Sequence, residues 1–228
     1  MAVTKTFWVE TLGCPKNQVD SDKLAGTMLA DGMVPARSAA DADLVVVNTC
    51  AFIDEARQES IDTVLSLSGE RRDGAELVVT GCLAERHGDE VAEALPEVDR
   101  VAPFGVPVSL GAARRGLDDV VPAFDLLELP RPPASAPWAY VKVAEGCDRK
   151  CGFCAIPTFR GPQRSRSVDS ILAEIESLGV VEAVLVAQDL AAFGRDQGQG
   201  ERRLVELMDR ASDLVKRVRL LYLYPSDL

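Results

Sequence analysis

Histidine is almost missing from this chain: His87 is the only one in 228 residues. Sites that need several imidazoles are excluded, and any zinc site must find nearly all its ligands among cysteines and carboxylates. No run of 18 apolar residues occurs, so no membrane-spanning helix is expected. The stretch from Met1 to Lys16 lacks a basic head followed by an apolar run, so no secretion signal is visible and a cytoplasmic location is expected. There is no positive excess either. Residues 1–137 carry 12 Lys/Arg against 23 Asp/Glu and residues 138–228 carry 13 of each, so the net charge of −11 lies wholly in the first part. An acidic surface repels phosphate backbones and attracts basic proteins. What the chain does have is 47% hydrophobic residues, enough to bury one large core or two ordinary ones.

Short apolar runs at Phe7–Thr11, Leu44–Val47 and Leu77–Val79 alternate with helical stretches near Ser21–Ala30, Asp54–Ser68 and Asp89–Leu95. Continuous apolar strands separated by helices predict a parallel sheet covered on both faces. Ile61, Val64, Leu65 and Ser68 recur at helical spacing within the second helix. Pro122, Pro130, Pro132, Pro133 and Pro137 then make residues 118–137 an expected extended linker. A second series follows: strands at Ala139–Val143, Ala183–Val186 and Val218–Tyr224, and helices at Val168–Leu178 and Glu201–Val215. Three strands of one βα series amount to a partial, roughly half β/α barrel. The expected class is therefore α/β, with a parallel-sheet domain over 1–117, the linker over 118–137 and the partial barrel over 138–228. No internal repeat is visible beyond the βα period.

Six cysteines remain to be explained: Cys14, Cys50, Cys82, Cys147, Cys151 and Cys154. In a reducing compartment thiolate ligands are favoured over disulfides. Cys147, Cys151 and Cys154 form a C-x3-C-x2-C loop directly after a strand, with Gly146 and Gly152 easing the backbone. Three thiolates can hold three irons of a four-iron cluster and leave the fourth open for a substrate or cofactor. Structural zinc is the rival, but the spacing is unusual for it and His87 lies far away in sequence. Cys14, Cys50 and Cys82 are scattered, yet each follows immediately on an expected strand. Ligands of open parallel sheets bind beyond the carboxyl ends of the strands, so these three should converge. Cysteines buried as small hydrophobes would suit strand interiors better than Gly-Cys or Thr-Cys loops. A second three-thiolate cluster is the better account.

The C-x3-C-x2-C loop at the end of the first barrel strand resembles the signature of the radical S-adenosylmethionine (SAM) superfamily. That resemblance implies a [4Fe–4S] cluster on Cys147, Cys151 and Cys154, SAM on its open iron, Phe153 near the adenine, and Gln188 and Asp189 placed to contact SAM. One-electron cleavage of SAM would yield the hydrogen-abstracting 5′-deoxyadenosyl radical, with the protein positioning atoms and excluding water. Three cysteines ahead of such a loop resemble the methylthiotransferase family, whose first domain holds an auxiliary [4Fe–4S] cluster that delivers sulfur. The segments Thr11-Leu12-Gly13-Cys14-Pro15-Lys16-Asn17, Val47 to Asp54, Thr80 to Arg86, Gln58 to Asp62 and Leu220 to Pro225 are similar to its branch that modifies a ribosomal protein. Pro15 stands where the tRNA-modifying branch usually has Gln.

The resemblance implies two [4Fe–4S] clusters and methylthiolation of an aspartate β-carbon in the twelfth protein of the small ribosomal subunit. No catalytic residue is expected beyond the cluster ligands. The implied partners are that basic protein, an external electron donor and a sulfur source, with no membrane and tRNA less favoured. Family members continue through the rest of the barrel into a TRAM domain, so this chain is expected to be their front part. A tRNA adenosine methylthiotransferase is the first rival. A non-catalytic iron–sulfur electron carrier is the second, and such carriers hold fully ligated clusters. Of the basic residues around the loop, Arg149, Lys150, Arg160, Arg164 and Arg166, at least half are expected to be merely solvated.

Overall fold

A computed structural model describes residues 4–108, 125–198 and 202–224. Residues 118–124, with Pro122, and Pro225 lie outside the described residues, as does Glu201. The chain divides into two compact units, Met1–Arg131 and Pro132–Leu228. The division falls inside the stretch expected as a linker.

In the first unit, β1 (Thr6–Thr11), β2 (Val34–Pro35), β3 (Leu44–Thr49), β4 (Glu76–Gly81) and β5 (Arg100–Ala102) form one sheet in the order β2-β1-β3-β4-β5, every pair parallel. All six residues of β3 are buried, as a central strand covered on both faces requires. Side chains alternate across it. Leu44 and Val46 join Phe7, Val78, Leu24 and Met28 in one core. Val45, Val47, Leu77 and Val79 are also fully buried. The helices are α1 (Pro15–Ala30), α2 (Asp54–Glu70) and α3 (Cys82–Ala94). Pro15 at the first position and Cys14 at the cap start α1 six residues ahead of the sequence-based expectation. Helix α3 begins at Cys82 rather than Asp89, because it bends at His87, where the backbone leaves helical geometry. On α2 the buried residues are Ser60, Val64 and Leu67, while Leu65 is exposed, so the inward stripe is turned from the expected one.

Residues 125–131 belong to the first unit by contact. The Lys23 ammonium, fully buried, donates to the Leu127 carbonyl at 2.6 Å, and Arg131 pairs with Asp22 at 2.9 Å. Gly26 leaves no room for a side chain against the Pro130 carbonyl. The described residues up to Arg131 thus lie along α1.

The second unit is a β-α-β-α-β series. Strands β6 (Trp138–Lys142), β9 (Glu182–Val186) and β10 (Arg217–Leu220) pair in parallel in the order β10-β9-β6. The short strands β7 (Ala144–Glu145) and β8 (Arg164–Ser165) pair antiparallel around the cysteine loop, with α4 (Ile156–Arg160) between them. Helix α5 (Val168–Leu178) is capped by Ser167, whose hydroxyl accepts from the Ser170 amide. Its buried residues Val168, Ile171, Ile175 and Leu178 form one stripe. They pack with Val141, Leu185, Phe193 and Leu207, the last from α6 (Leu204–Ser212). The end elements are shorter than expected: α6 covers only Leu204–Ser212 and β10 ends at Leu220, before the described residues 221–224. No helix among the described residues is long and apolar enough to cross a membrane.

Asp43 clamps the start of β3 to β1. Its carboxylate accepts from the Thr6 amide (2.8 Å) and hydroxyl (3.0 Å) and pairs with Lys5 (3.0 Å) and Arg72. Burial alone would raise this carboxyl, but those donors and cations overcome it and hold its pKa at about 2. A depressed folded pKa gives stability that is present above the ordinary value of 3.8 and is lost as the pH falls toward 2. Asp43→Asn should therefore cost about 1–3 kcal/mol at neutral pH, measured by urea unfolding. The gap between variant and wild type should close as the pH is lowered to about 2. An unchanging gap would show that Asp43 acts by shape alone.

Candidate metal centres

Strand order reverses between β1 and β3, and in such sheets the crevice beyond the strand ends at the reversal is where ligands bind. Cys14 follows β1, Cys50 follows β3 and Cys82 follows β4. Parallel register sets Thr11 opposite Asn48 and Thr49 opposite Gly81, so the three strands end side by side. Gly13 brings the first loop onto the second. It has φ +88°, and a Cβ there would lie 2.7 Å from Cys50 Cβ and 2.9 Å from Cys50 Sγ. A side chain at position 13 would occupy the space beside that sulfur.

Asn17, fully buried, binds all three loops together. Its Nδ2 donates to the carbonyls of Leu12 and Thr49, both at 2.9 Å, and its backbone N–H donates to the Cys14 carbonyl at 2.9 Å. Its own carbonyl accepts from Asn48 Nδ2 at 2.9 Å. The Cys82 thiol lies 3.8 Å from Asn17 Oδ1 as a weak donor. Ser60 of α2 holds Cys50 at both ends, its hydroxyl accepting from the Cys50 amide (3.1 Å) and donating to the Cys50 carbonyl (3.0 Å). Asn17 and Ser60 fall in segments quoted above, yet their roles were not foreseen. For Asn17 the signal was position: a polar residue one turn into a helix that opens on a cysteine.

In the second unit Cys147, Cys151 and Cys154 line a cavity of about 240 Å3 together with Phe153, Gln188 and Asp189. Arg149 closes one side: it pairs with Asp189 at 2.5 Å and its guanidinium stacks 4.0 Å from the Tyr224 ring centroid. Phe153 is 88% exposed. Asp189 is buried, and its Oδ1 and Gln188 Oε1 are buried without hydrogen-bond partners among the described residues. Burial pushes the Cys147 thiol up, as do the Asp189 carboxylate and the other two cysteines, against the opposing hydrogen bond from the Arg149 amide. Gly146, at φ +78°, turns the loop where a Cβ would overlap the Pro162 carbonyl.

Beneath this loop lies a buried ion cluster. Lys142 is fully buried and pairs with Glu145 at 2.5 Å, and Arg160 reaches both Glu145 oxygens at 3.0 and 3.1 Å. Burial would raise the Glu145 carboxyl, but the Arg160 and Lys142 charges hold it well below the usual carboxylate range. Arg166, also buried, pairs with Glu174 at 2.5 Å and donates to the Lys142 carbonyl. The expectation that at least half of these five basic residues are merely solvated is thus corrected for Arg149, Arg160 and Arg166. Each is fixed by a carboxylate, and for the buried Arg160 and Arg166 such a partner is required.

All six cysteines are free of disulfides. Among the described residues no three His, Cys, Asp or Glu side chains close to metal-binding distance. The donor sets nevertheless suit iron–sulfur clusters. Each unit offers three thiols beside space kept clear by a glycine or a cavity, and clusters are held by cysteine thiolates. His87 stands apart, its Nδ1 3.1 Å from Glu90. Asn17→Ala should strand the Leu12 and Thr49 carbonyls and lower the unfolding free energy of the metal-free chain by about 2–4 kcal/mol. Asn17→Asp, which cannot donate, should not rescue it. A loss below about 1 kcal/mol in urea unfolding would mean that the loops hold together without Asn17.

The family model described as uncharacterized protein family UPF0004 matches residues 6–103. The chain is 44% identical over 234 residues to the ribosomal protein uS12 methylthiotransferase RimO of Myxococcus xanthus, covering 97% of this chain and 49% of that one. It is 39% identical to the protein of the same name from Helicobacter pylori, covering 97% and 52%. Against the one from Desulfitobacterium hafniense the identity is 41%, with 98% and 54% covered. The chain thus spans about half the length of the curated relatives it matches. Among solved structures it shares the fold of the cobalamin-dependent S-adenosylmethionine radical enzyme OxsB, with a TM-score of 0.53 at 10% identity, over 92% of this chain and 37% of that one. Over nearly its whole length, the chain is thus similar to these RimO-named methylthiotransferases.

Proposed function

We propose that this chain supplies the two iron–sulfur centres and the SAM site of a ribosomal protein methylthiotransferase. The observation that carries the reading is the pairing of two separate cysteine triplets with a family in which the relatives are named for this activity. Cys14, Cys50 and Cys82 would hold one four-iron cluster, and Cys147, Cys151 and Cys154 the other. Bound there, such clusters would supply one-electron cleavage of SAM at one centre and sulfur at the other. The chain's own residues do the rest. Gly13 clears space beside the Cys50 sulfur, Gly146 lets the second loop turn against the Pro162 carbonyl, and Asn17 and Ser60 fix the loops of the first triplet. Gln188 Oε1 and Asp189 Oδ1 offer acceptors to a cationic ligand, and Phe153 offers an aromatic face at the cavity rim. A cytoplasmic location is read as at the outset, with an auxiliary-cluster domain over 1–117, a SAM-binding domain from 138, and residues 125–131 docked on the first unit.

The proposed target is an aspartate of the small-subunit protein uS12, the protein in the relatives' names. The acidity confined to residues 1–137 suits a basic protein partner and disfavours tRNA, acting on encounter rather than on chemistry. An electron donor and a sulfur source would come from outside.

After anaerobic reconstitution the chain should hold two four-iron clusters. Replacing Cys147, Cys151 and Cys154 by Ala together should remove about half the iron and leave the rest bound. Unchanged iron in the triple variant, or zinc in place of iron, overturns the assignment. For the substrate, the gene is deleted and the mass of uS12 is compared with the nucleoside profile of total tRNA. Loss of one methylthio group from the protein with tRNA unaltered is expected. Loss of a methylthio-adenosine with the protein unaltered would move the chain to the tRNA-modifying branch.

A further inference from the structure

The Glu145 carboxylate also makes two contacts outside the ion cluster. Its Oε1 accepts from Gln188 Nε2 at 2.6 Å and from the Gly146 amide at 3.1 Å, while Lys142 and Arg160 hold the carboxylate ionised. An ionised carboxylate only accepts, so Gln188 must turn its NH2 group to Glu145 and its carbonyl the other way. That carbonyl oxygen is buried and has no hydrogen-bond partner, on a residue that lines the cysteine cavity. The next residue repeats the arrangement. Asp189 gives Oδ2 to Arg149 and leaves Oδ1 buried without a partner. Two buried acceptors on consecutive residues of the cavity lining, without partners among the described residues, are costly unless a donor arrives, and they match a ligand's ammonium group.

We propose that Glu145 is a positioning residue that locks the Gln188 amide, so that the cavity presents a fixed acceptor to the α-ammonium group of SAM. This rests on the reading of the cavity as a SAM site and adds how its polarity is set. Without the carboxylate the two orientations of the amide become comparable, and the flipped one turns donors toward a group that itself only donates. The consequence is selective. Ligands with the α-ammonium group lose affinity, while a ligand lacking it is indifferent to the amide's orientation.

The test measures dissociation constants of the anaerobically reconstituted chain for SAM and for its analogue without the α-amino group. Iron content and thermal midpoint are recorded for every variant. The wild type should prefer SAM by about tenfold or more, the worth of one charge-assisted hydrogen bond. Glu145→Gln should cut the preference to about threefold or less. Should that variant fail to fold with Lys142 and Arg160 uncompensated, Glu145→Asp keeps the charge and withdraws the contact to Gln188, and should lose the preference in the same way. A variant that folds, retains its iron and keeps the full preference overturns the positioning role. A purely structural role would lower the thermal midpoint and leave the ratio of the two constants unmoved. If the wild type binds no SAM, or binds both ligands alike, the cofactor reading itself falls, and this inference with it.

Discussion

Parallel pairing in register is the constraint on which the first site depends. Because β1, β3 and β4 run the same way and end level, residues separated by 30 or more positions in sequence leave the sheet at the same edge. A cysteine placed just past each strand then needs no further device to meet the others than short, tight turns. The alternation of side chains keeps both faces of β3 apolar, so polar chemistry is confined to the strand ends. The buried amides and hydroxyls there, Asn17, Asn48, Thr49 and Ser60, use their hydrogen-bonding capacity on backbone groups of the loops, so the loops are held mainly through neutral groups, with Arg86 adding a donor to the Ala51 carbonyl at 3.2 Å.

The second site is held by the opposite means. Its loop is contiguous, so three cysteines within eight residues stay close whatever the sheet does. What must be supplied is a firm floor under an irregular turn. Lys142, Glu145 and Arg160 provide it with two positive charges and one negative, all poorly exposed. Such a cluster tolerates little change, since removing one member leaves another buried without compensation.

The order of strands and helices was legible because apolar runs and breaking residues mark them locally. The scattered cysteines could be brought together in advance for the same reason: strand ends of a parallel sheet are neighbours by topology. Local marks failed where tertiary partners decide. Pro15 and Cys14 begin α1 early because the helix must start at the cysteine loop, and Leu65 faces outward because Ser60 is needed at Cys50. The arginines around the second loop looked like solvated charge, since nothing in sequence pairs Arg160 with Glu145 or Arg166 with Glu174. Residues 125–131 looked like linker because prolines say where a helix cannot be, not where the chain lies.

Two lysines, Lys23 and Lys142, have no exposed surface, and they fall one in each compact unit. Both amines are engaged, Lys23 by the Leu127 carbonyl and Lys142 by Glu145. An acylating reagent needs a free, deprotonated amine within reach of solvent, which neither can offer until its own unit opens. The two positions therefore work as built-in clocks for local opening, readable by mass spectrometry without any introduced label. The two units can be timed separately in one sample, even where a single spectroscopic signal would report their sum.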